Sequence, residues 1–278
     1  CALCKDTEII ILDEPTSFLD KENEEQVKSE QESVIDKVER ITGTSVNKKF
    51  GYLINGFSIN AKRKDIDKIK EIQGVKCITE SKTYKLNMSG SDEITQAASE
   101  WKNIGYEGKG MVISIIDSGI DYTHKDLKNI DTNSTKLKQS DINENIASLG
   151  YGQYYTDKVP FGYNYADGNN NIITDDNHSN HGMHVAGIAA ANGDEEKISS
   201  YESIKGVAPQ AQLLGMRVFS NNSQITGAME EDIVQAIEDS VKLGADVINM
   251  SLGVVGMNNP DDPKQKAIQR ATEAGVVC

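Results

Sequence analysis

Short apolar runs and amphipathic stretches alternate along the first third of the chain. Glu8–Leu12 predicts a strand, and apolar residues at helical spacing over 24–41 predict an amphipathic helix. Two strands follow around Asn55-Gly56, a dipeptide that favours tight hairpins, and then a second helix closed by Gly74 and a strand over 75–79. The order β-α-β-β-α-β predicts a small α+β, ferredoxin-like unit.

From Trp101 onward the pattern changes, and the strand-length segments that follow are nearly all apolar, as expected for strands that are covered on both faces. In chain order, we predict a strand over 111–116, a strand over 213–219, a helix capped by Thr226 and running to Leu243, a strand over 245–250, a helix over 263–273 and a strand beginning at Gly275. Strands that alternate with helices imply an α/β fold, a parallel sheet with helices on both faces. A polar, Asn- and Tyr-rich stretch over 131–178 predicts a solvated surface loop whose aromatic residues pack down beside a substrate groove.

The composition excludes several classes of protein. There are 29 Lys and Arg residues against 43 Asp and Glu, a formal charge of −14, which argues against binding nucleic acid or an anionic membrane surface. No apolar run approaches the ~18 residues of a membrane span, and no signal segment is present. Four cysteines cannot staple a chain of 278 residues, so we expect free thiols and a fold that depends on its core. The chain begins with Cys1 and ends in an apolar run, so we expect it to be cut at both ends.

Two residues stand where catalytic groups gather. Asp117 directly follows the strand over 111–116, and Gly119 allows the chain to turn there. Ligands and catalysts collect at the carboxyl ends of strands in open α/β sheets. His181 stands at the start of a predicted helix, where the helix dipole disfavours the protonated imidazole. A neutral imidazole can accept a proton, and a carboxylate on its other nitrogen would fix its tautomer.

Four motifs occur in one order: Asp117-Ser-Gly-Ile-Asp121, His181-Gly-Met-His-Val-Ala-Gly187, Gly206-Val-Ala-Pro209 and Val247-Ile-Asn-Met-Ser-Leu-Gly253. Over roughly 98–278 this series resembles the subtilases, the subtilisin-like serine peptidases. With Met183 in the second motif, the chain resembles the large cell-envelope members of this family, of the lactocepin and C5a-peptidase type. The resemblance implies that Asp117 is the triad acid and His181 the general base, with His184 a structural neighbour. It also implies that Ser251, Leu252 and Gly253 line the cleft and bind a peptide substrate as an added strand.

The resemblance also shows what the 278 residues lack. In this family the nucleophilic Ser lies in a Gly-Thr-Ser motif well downstream of Ser-Leu-Gly, and the side-chain donor of the oxyanion hole is an Asn shortly after the strand at Gly275. Neither follows Gly253 within this chain. We therefore predict an incomplete subtilisin-like domain that does not hydrolyse peptides as it stands.

The first unit resembles the inhibitor-type propeptide of the same family, which assists folding and plugs the cleft until it is removed. Parallel sheets of non-local strands fold slowly, so a folding template is useful. We predict a propeptide-like domain over 1–88, a linker with the maturation site over 89–97, and the first part of a catalytic domain over 98–278. The whole protein is expected to be a secreted or cell-envelope endopeptidase that uses its own propeptide as an intramolecular inhibitor. A pseudo-enzyme or inhibitor module is the alternative.

Four other interpretations compete for single motifs. Ile9–Asp20 resembles the Walker B segment of ABC-transporter ATPases, although no phosphate loop is present, so a remnant of an ATPase is the alternative to a first strand. Asp117-Ser-Gly could be half of an aspartic peptidase, but it has no second copy. The histidines at 178, 181 and 184 could bind zinc. Asp126 matches a position that helps to hold structural calcium in some subtilases, so calcium is an option, but the matching loop is replaced by the charged stretch 192–201, and no cofactor is required.

Overall fold

The computed structural model describes residues 6–12, 21–81, 83–86, 105–175, 178–198, 202–253 and 262–278. We call residues up to 86 the N-terminal module and residues from 105 the C-terminal module. The strands are β1 (Asp6–Leu12), β2 (Val46–Phe50), β3 (Gly56–Lys62), β4 (Cys77–Glu80), β5 (Thr83–Leu86), β6 (Val112–Asp117), β7 (Phe161–Asn164), β8 (Gln212–Arg217), β9 (Ala228–Met229), β10 (Val247–Asn249) and β11 (Leu252–Gly253). The α-helices are α1 (Lys21–Thr42), α2 (Ile66–Lys70), α3 (Gln139–Leu149), α4 (His181–Ala190), α5 (Glu195–Ile198), α6 (Glu230–Lys242) and α7 (Pro263–Glu273).

The N-terminal module is an antiparallel sheet in the order β2-β3-β1-β4 with two helices, which confirms the predicted β-α-β-β-α-β unit. Its core joins one face of α1 to the sheet and α2, because apolar residues recur at helical spacing on α1 and alternate along β3. The buried members are Val34, Ile35, Val38, Phe57, Ile59, Ala61 and Ile69. The helix predicted to end at Gly74 is shorter than expected, since α2 ends at Lys70.

The loop between β2 and β3, residues 51–55, is not the strand that the sequence predicted. β2 lies earlier, over Val46–Phe50, and Gln31 holds the loop by donating from Nε2 to the Phe50 carbonyl at 2.8 Å and to Asn55 Oδ1 at 2.9 Å. Leu53 and Ile54 are buried against the C-terminal module instead of pairing in the sheet. We call residues 51–55 the docking loop.

The C-terminal module is built on a parallel sheet in the order β10-β6-β8-β7. Alternate residues of its strands face two separate apolar clusters. Ile115 and Leu213 pack with α4 on one side, whereas Ile116 and Leu214 pack with α6 and α7 on the other. The α/β architecture with helices on both faces is therefore confirmed, and a parallel bridge from Val277 to Val247 extends the sheet beyond β10.

The polar stretch 131–178 is more ordered than the predicted surface loop. It contains α3 and also β7, which joins the central sheet with Phe161 opposite Leu214. The loop prediction was wrong for α3 and β7. The burial of β7 comes from its pairing with β8, which the local sequence does not indicate. The predicted packing of its aromatic residues is confirmed, since the Tyr151 and Tyr163 rings lie 4.5 Å apart between centroids.

A third sheet joins the two modules in the order β11-β5-β9. β5 belongs to the N-terminal module, and it pairs antiparallel with β11 on one side and β9 on the other. Because Ala228 and Met229 form β9, α6 begins at Glu230 and not after the predicted cap Thr226. In the described part of the chain, no helix combines the length and the apolar character needed to cross a membrane.

Candidate active site

Asp117 and His181 meet at the carboxyl end of β6, although 64 residues separate them in sequence. Asp117 is the last residue of β6 and is fully buried, and His181 is the first residue of α4 and is 8% exposed. His181 Nδ1 lies 2.9 Å from both carboxylate oxygens of Asp117. With Asp117 ionised, Nδ1 carries the proton that it donates, so Nε2 is the proton-accepting nitrogen of the ring.

Small residues allow β6 and α4 to approach closely enough for this contact. Gly182 donates its backbone N–H to Ser118 Oγ at 2.9 Å. A Cβ atom at residue 182 would lie 2.5 Å from the Gly119 carbonyl oxygen, so only glycine fits at this position. Gly119 itself has φ of 120°, a left-handed conformation that favours glycine. The Asp-Ser-Gly and His-Gly pairs therefore shape the backbone as well as supplying side chains.

Burial and hydrogen bonding act in opposite directions on Asp117. Burial raises the pKa of the Asp117 carboxyl above its ordinary value, while the hydrogen bonds from His181 and from the Ser118 N–H, at 2.6 Å, oppose that rise. A buried carboxylate favours a partner that can share positive charge. An imidazolium formed at His181 would lie directly against Asp117, so the arrangement is suited to stabilising a protonated histidine for a short time.

The predicted cleft residues form an occupied strand edge. Leu252 lies opposite Leu86, and Gly253 lies opposite Lys85, so β11 pairs with β5 of the N-terminal module. Ser251 immediately precedes β11, and its Oγ donates to Asn249 Oδ1 at 2.9 Å. Leu252 and Gly253 thus border an extended segment of polypeptide, which is how a peptide binds by strand addition.

A cavity of about 160 Å³ is lined by residues close in sequence to both members of the Asp-His pair. Ser118, which follows Asp117, and Ser179, two residues before His181, line it together with Phe219 and Ile225. His178 also faces this cavity, and its Nδ1 lies 2.5 Å from Asp175 Oδ1. The pocket could accept one side chain of a peptide that occupies the neighbouring edge.

The three histidines do not form a zinc site in the described part of the chain. His181 contacts Asp117, His178 contacts Asp175, and His184 is exposed on α4. Among the described residues, no group of three or more His, Cys, Asp or Glu side chains is arranged to hold a metal.

Asp126 is already paired with a cation of the chain, Lys125. It is 4% exposed in the short 3₁₀ turn 125–127, and Lys125 Nζ lies 3.0 Å from both of its carboxylate oxygens. Ser203 Oγ donates to Oδ1 at 2.5 Å. Burial alone would raise the pKa of Asp126, but the Ser203 hydroxyl and the Lys125 ammonium lower it below its ordinary value. A cation of the chain already neutralises this carboxylate, so the calcium prediction finds no support in the described residues.

Two motifs of the N-terminal module have structural roles. Gly43-Thr-Ser45 has the letters of the subtilase nucleophile motif, but it directly follows α1, upstream of the four motifs that resemble the subtilases. There Gly43 has φ of 72° and Thr44 Oγ1 donates to the Asn60 carbonyl at 2.6 Å. The Walker-B-like segment forms β1, which pairs with β3 and β4 in the middle of the sheet. Its acidic continuation, residues 13–20, lies outside the described residues, as does the predicted linker 89–97.

Sequence reasoning missed several residues that shape this site. β9 was hidden because its two residues adjoin a strong helical pattern, yet it borders β5 opposite β11. Glu238 was predicted only as part of a helix, but its Oε1 accepts hydrogen bonds from Leu53 N at 3.1 Å and Ile54 N at 3.2 Å in the docking loop. The available sequence signal for this contact was the position of Glu238, an acidic residue, among the apolar residues of α6.

The fold and the site together define a class: an α/β protein with a buried Asp-His pair at a strand end, next to an edge that holds an extended peptide. Comparison with known proteins agrees. The Subtilase family profile matches residues 108–278, and the Peptidase inhibitor I9 profile matches residues 9–87. The chain belongs to the subtilase family, and its N-terminal module is an inhibitor-type propeptide.

Two relatives and one solved structure illustrate the similarity. The PI-type proteinase of Lactococcus lactis subsp. cremoris is 43% identical over 249 residues, 89% of this chain and 13% of that protein. C5a peptidase of Streptococcus pyogenes serotype M3 is 34% identical over 176 residues, 61% of this chain and 14% of that protein. Fervidolysin from Fervidobacterium pennivorans has a TM-score of 0.63 at 19% identity, covering 99% of this chain and 39% of fervidolysin, which supports the fold. The chain therefore spans only a small part of these relatives' length.

Proposed function

We propose that the chain is the propeptide and the first part of the catalytic domain of a serine endopeptidase that works through an Asp-His-Ser triad. The 2.9 Å contact of Asp117 with His181, beside an edge that holds a peptide strand, carries this proposal. Asp117 orients the imidazole, and His181 accepts the proton of the nucleophile at Nε2 and returns it to the leaving amine. Ser251, Leu252 and Gly253 bind the substrate backbone. This chemistry requires no cofactor.

The N-terminal module acts in this proposal as an intramolecular inhibitor, with domain limits of 1–88 for the propeptide and 98–278 for the catalytic part. The position of β5 supports it, because a strand that already occupies the edge excludes a substrate strand. The docking loop adds buried contacts on α6. Maturation would cut within the linker 89–97 and release this edge.

The 278-residue polypeptide is proposed to be inactive on its own. His181 can take a proton only from a nucleophile that it contacts, and no Gly-Thr-Ser follows Gly253 in the sequence. Purified chain 1–278 should not release peptides from casein above the background of a His181→Ala variant. Cleavage that His181→Ala abolishes would contradict the proposed inactivity.

Nuclear magnetic resonance tests the Asp117–His181 pair without requiring catalysis. The hydrogen-bonded Nδ1 proton of His181 should resonate far downfield, because it is shared with a buried carboxylate. Asp117→Asn should remove that signal or shift it strongly upfield. Asp121→Asn makes the same charge change four residues along the chain and should leave the signal in place. A downfield signal that survives Asp117→Asn would rule out the proposed pairing.

An inhibitor or pseudo-enzyme module is the second candidate, and the occupied strand edge favours it specifically. Such a module would bind another subtilase through its N-terminal module. The two candidates predict different coding sequences beyond codon 278 of the gene. An endopeptidase requires codons for a Gly-Thr-Ser motif there, and a pseudo-enzyme lacks them. Inhibition of an active subtilase by the intact chain 1–278 would support the inhibitor.

A secreted or cell-envelope location is part of the proposal, because the chain resembles the cell-envelope subtilases. Fractionation of the producing cells with an antibody against the chain tests this location. Confinement of the protein to the cytosol would contradict it.

A further inference from the structure

The start of α6 presents three consecutive acidic residues next to the peptide-binding edge. β9 runs directly into Glu230-Glu231-Asp232, which we call the acidic strip. Each of the three residues is at most 5% exposed in the presence of the N-terminal module. Carboxylates are seldom buried to this extent unless they are paired, so the groups that contact the strip indicate what it binds.

Groups of the N-terminal module contact two members of the acidic strip. Lys48 Nζ lies 2.7 Å from Asp232 Oδ1, and Ser81 Oγ donates to Glu231 Oε2 at 2.6 Å. Burial raises the pKa of Asp232 to about 6, although Lys48 opposes the rise, and the Glu231 carboxylate adds to it. Within the strip, Glu231 and Asp232 are therefore a crowded pair of carboxylates that a nearby cation stabilises. Both contacts would be lost when the N-terminal module is released.

The strand register shows which position of a bound peptide faces the strip. Thr83 lies opposite Met229 in the antiparallel pairing of β5 with β9. Ser81 lies two residues before Thr83, and its hydroxyl reaches Glu231, the second residue of α6, in the 2.6 Å hydrogen bond. A peptide strand that replaced β5 would therefore bring its residue two positions before the Met229 partner to Glu231.

We propose that Glu231 and Asp232 form a cation-selective position in the cleft, which favours peptides with Lys or Arg where the propeptide has Ser81. The inference rests on the proposed function, because it takes the place of β5 as that of a substrate. A serine hydroxyl donates one hydrogen bond but carries no charge. An ammonium or guanidinium group donates hydrogen bonds and also offsets the negative charge, and such charge-assisted bonds are about twice as strong as neutral ones.

Charge substitutions at residue 81 of the intact chain test the selectivity directly. The readout is hydrogen–deuterium exchange of the backbone amides of β5, whose protection reports how tightly the strand is held. Ser81→Lys should raise this protection about fivefold, and Ser81→Glu should lower it by at least as much. Both changes should shrink by more than half in a Glu231→Gln background, because the neutral amide removes most of the charge selectivity.

Two control variants separate charge at this position from other effects. Ser81→Ala removes the hydrogen bond without adding charge, so it should fall between the lysine and glutamate variants. Gln73→Lys adds the same charge at an exposed position of the same module and should leave β5 protection unchanged.

The outcomes distinguish the inference from the proposed function. Unprotected β5 amides in the unmodified chain would refute strand insertion and with it the proposed inhibitor role. Protected amides with equal protection in the lysine, alanine and glutamate variants would overturn the cation-selective position alone. If Ser81→Lys disrupts the module, Ser81→Arg in the same Glu231→Gln cycle gives a second cationic side chain, and a lack of coupling there would also overturn it.

Discussion

Glu238 connects the two modules through a buried carboxylate, and its titration predicts an unusual dependence of stability on pH. The residue is 1% exposed, and its Oε1 accepts the backbone N–H groups of Leu53 and Ile54. Burial raises the pKa of Glu238 from 4.5 to about 7, while Lys242 and the two N–H groups oppose that rise. In the folded protein this carboxyl keeps its proton at pH values at which the unfolded chain has lost it.

The free energy of unfolding should therefore fall as the pH rises from 4.5 to about 7, because the folded state binds more protons in that window. Between the unfolded-state and folded-state pKa values of one group, each pH unit changes the free energy of unfolding by about 1.4 kcal/mol. Measurements from about pH 5.5 stay above the sequence isoelectric point of about 4.8, and from there to pH 7 this one residue should remove about 2 kcal/mol. Glu238→Gln keeps an oxygen acceptor but cannot titrate, so its stability should not show this fall.

Urea unfolding followed by circular dichroism, at about pH 5.5, 7 and 8, measures this difference. Other titrating groups, including Asp232, contribute equally to both proteins, so the difference between the unmodified chain and Glu238→Gln isolates Glu238. Glu273→Gln makes the same change at an exposed residue of α7 and should follow the unmodified chain. Glu238→Ala should lose about 1–3 kcal/mol for each amide left without an acceptor, at every pH. Parallel stability curves for the unmodified chain and Glu238→Gln would refute the reasoning.

Two further substitutions test the C-terminal module. Lys158 Nζ donates to the carbonyls of Pro209 and Ala211, and burial lowers the pKa of Lys158 from 10.5 to about 7. The free energy of unfolding should therefore rise with pH above 7, because the unfolded chain then binds more protons than the folded chain. Lys158→Met should flatten that rise in urea unfolding, and an unchanged slope would contradict the assignment to Lys158. Gly182→Ala forces the Cβ against the Gly119 carbonyl and should lower stability by about 2 kcal/mol through overpacking. Gly51→Ala, where no atom lies within 4 Å of the added Cβ, is its control, and equal melting temperatures for the two variants would disprove the close approach.

The sequence predicted the elements whose burial is visible in local patterns. α7 spans Pro263–Glu273, the predicted limits, because Asp262 caps it and proline begins it. The meeting of Asp117 and His181 was expected because the four motifs resemble those of the subtilases, which implies an acid and a base that act together at these positions. The structure brings these two residues within hydrogen-bonding distance.

The missed features depend on partners that are distant in sequence. β7 is a four-residue strand with glycine and asparagine in it, and only its pairing with β8 makes it a strand. Leu53 and Ile54 were predicted to pair in a hairpin, since an apolar run indicates burial but does not say against what. The docking loop and β9 arise from contact between modules, which no local window of the sequence contains.

The interface between the modules combines apolar burial with carboxylates, and this combination suits the release of the N-terminal module in the proposed maturation. Leu53 and Ile54 supply apolar area, whereas Glu238 and Asp232 hold the loop N–H groups and Lys48 through polar contacts. Water can replace those polar contacts after release, so the uncovered surface is less prone to aggregate than an apolar patch of equal size. Burying the carboxylates also lowers the net stability of the assembled form, because their desolvation offsets part of the apolar gain. On the proposed role, Asp232 pairs with Lys48 in the assembled form and stays behind in the acidic strip of the open cleft, so release and selectivity share this carboxylate.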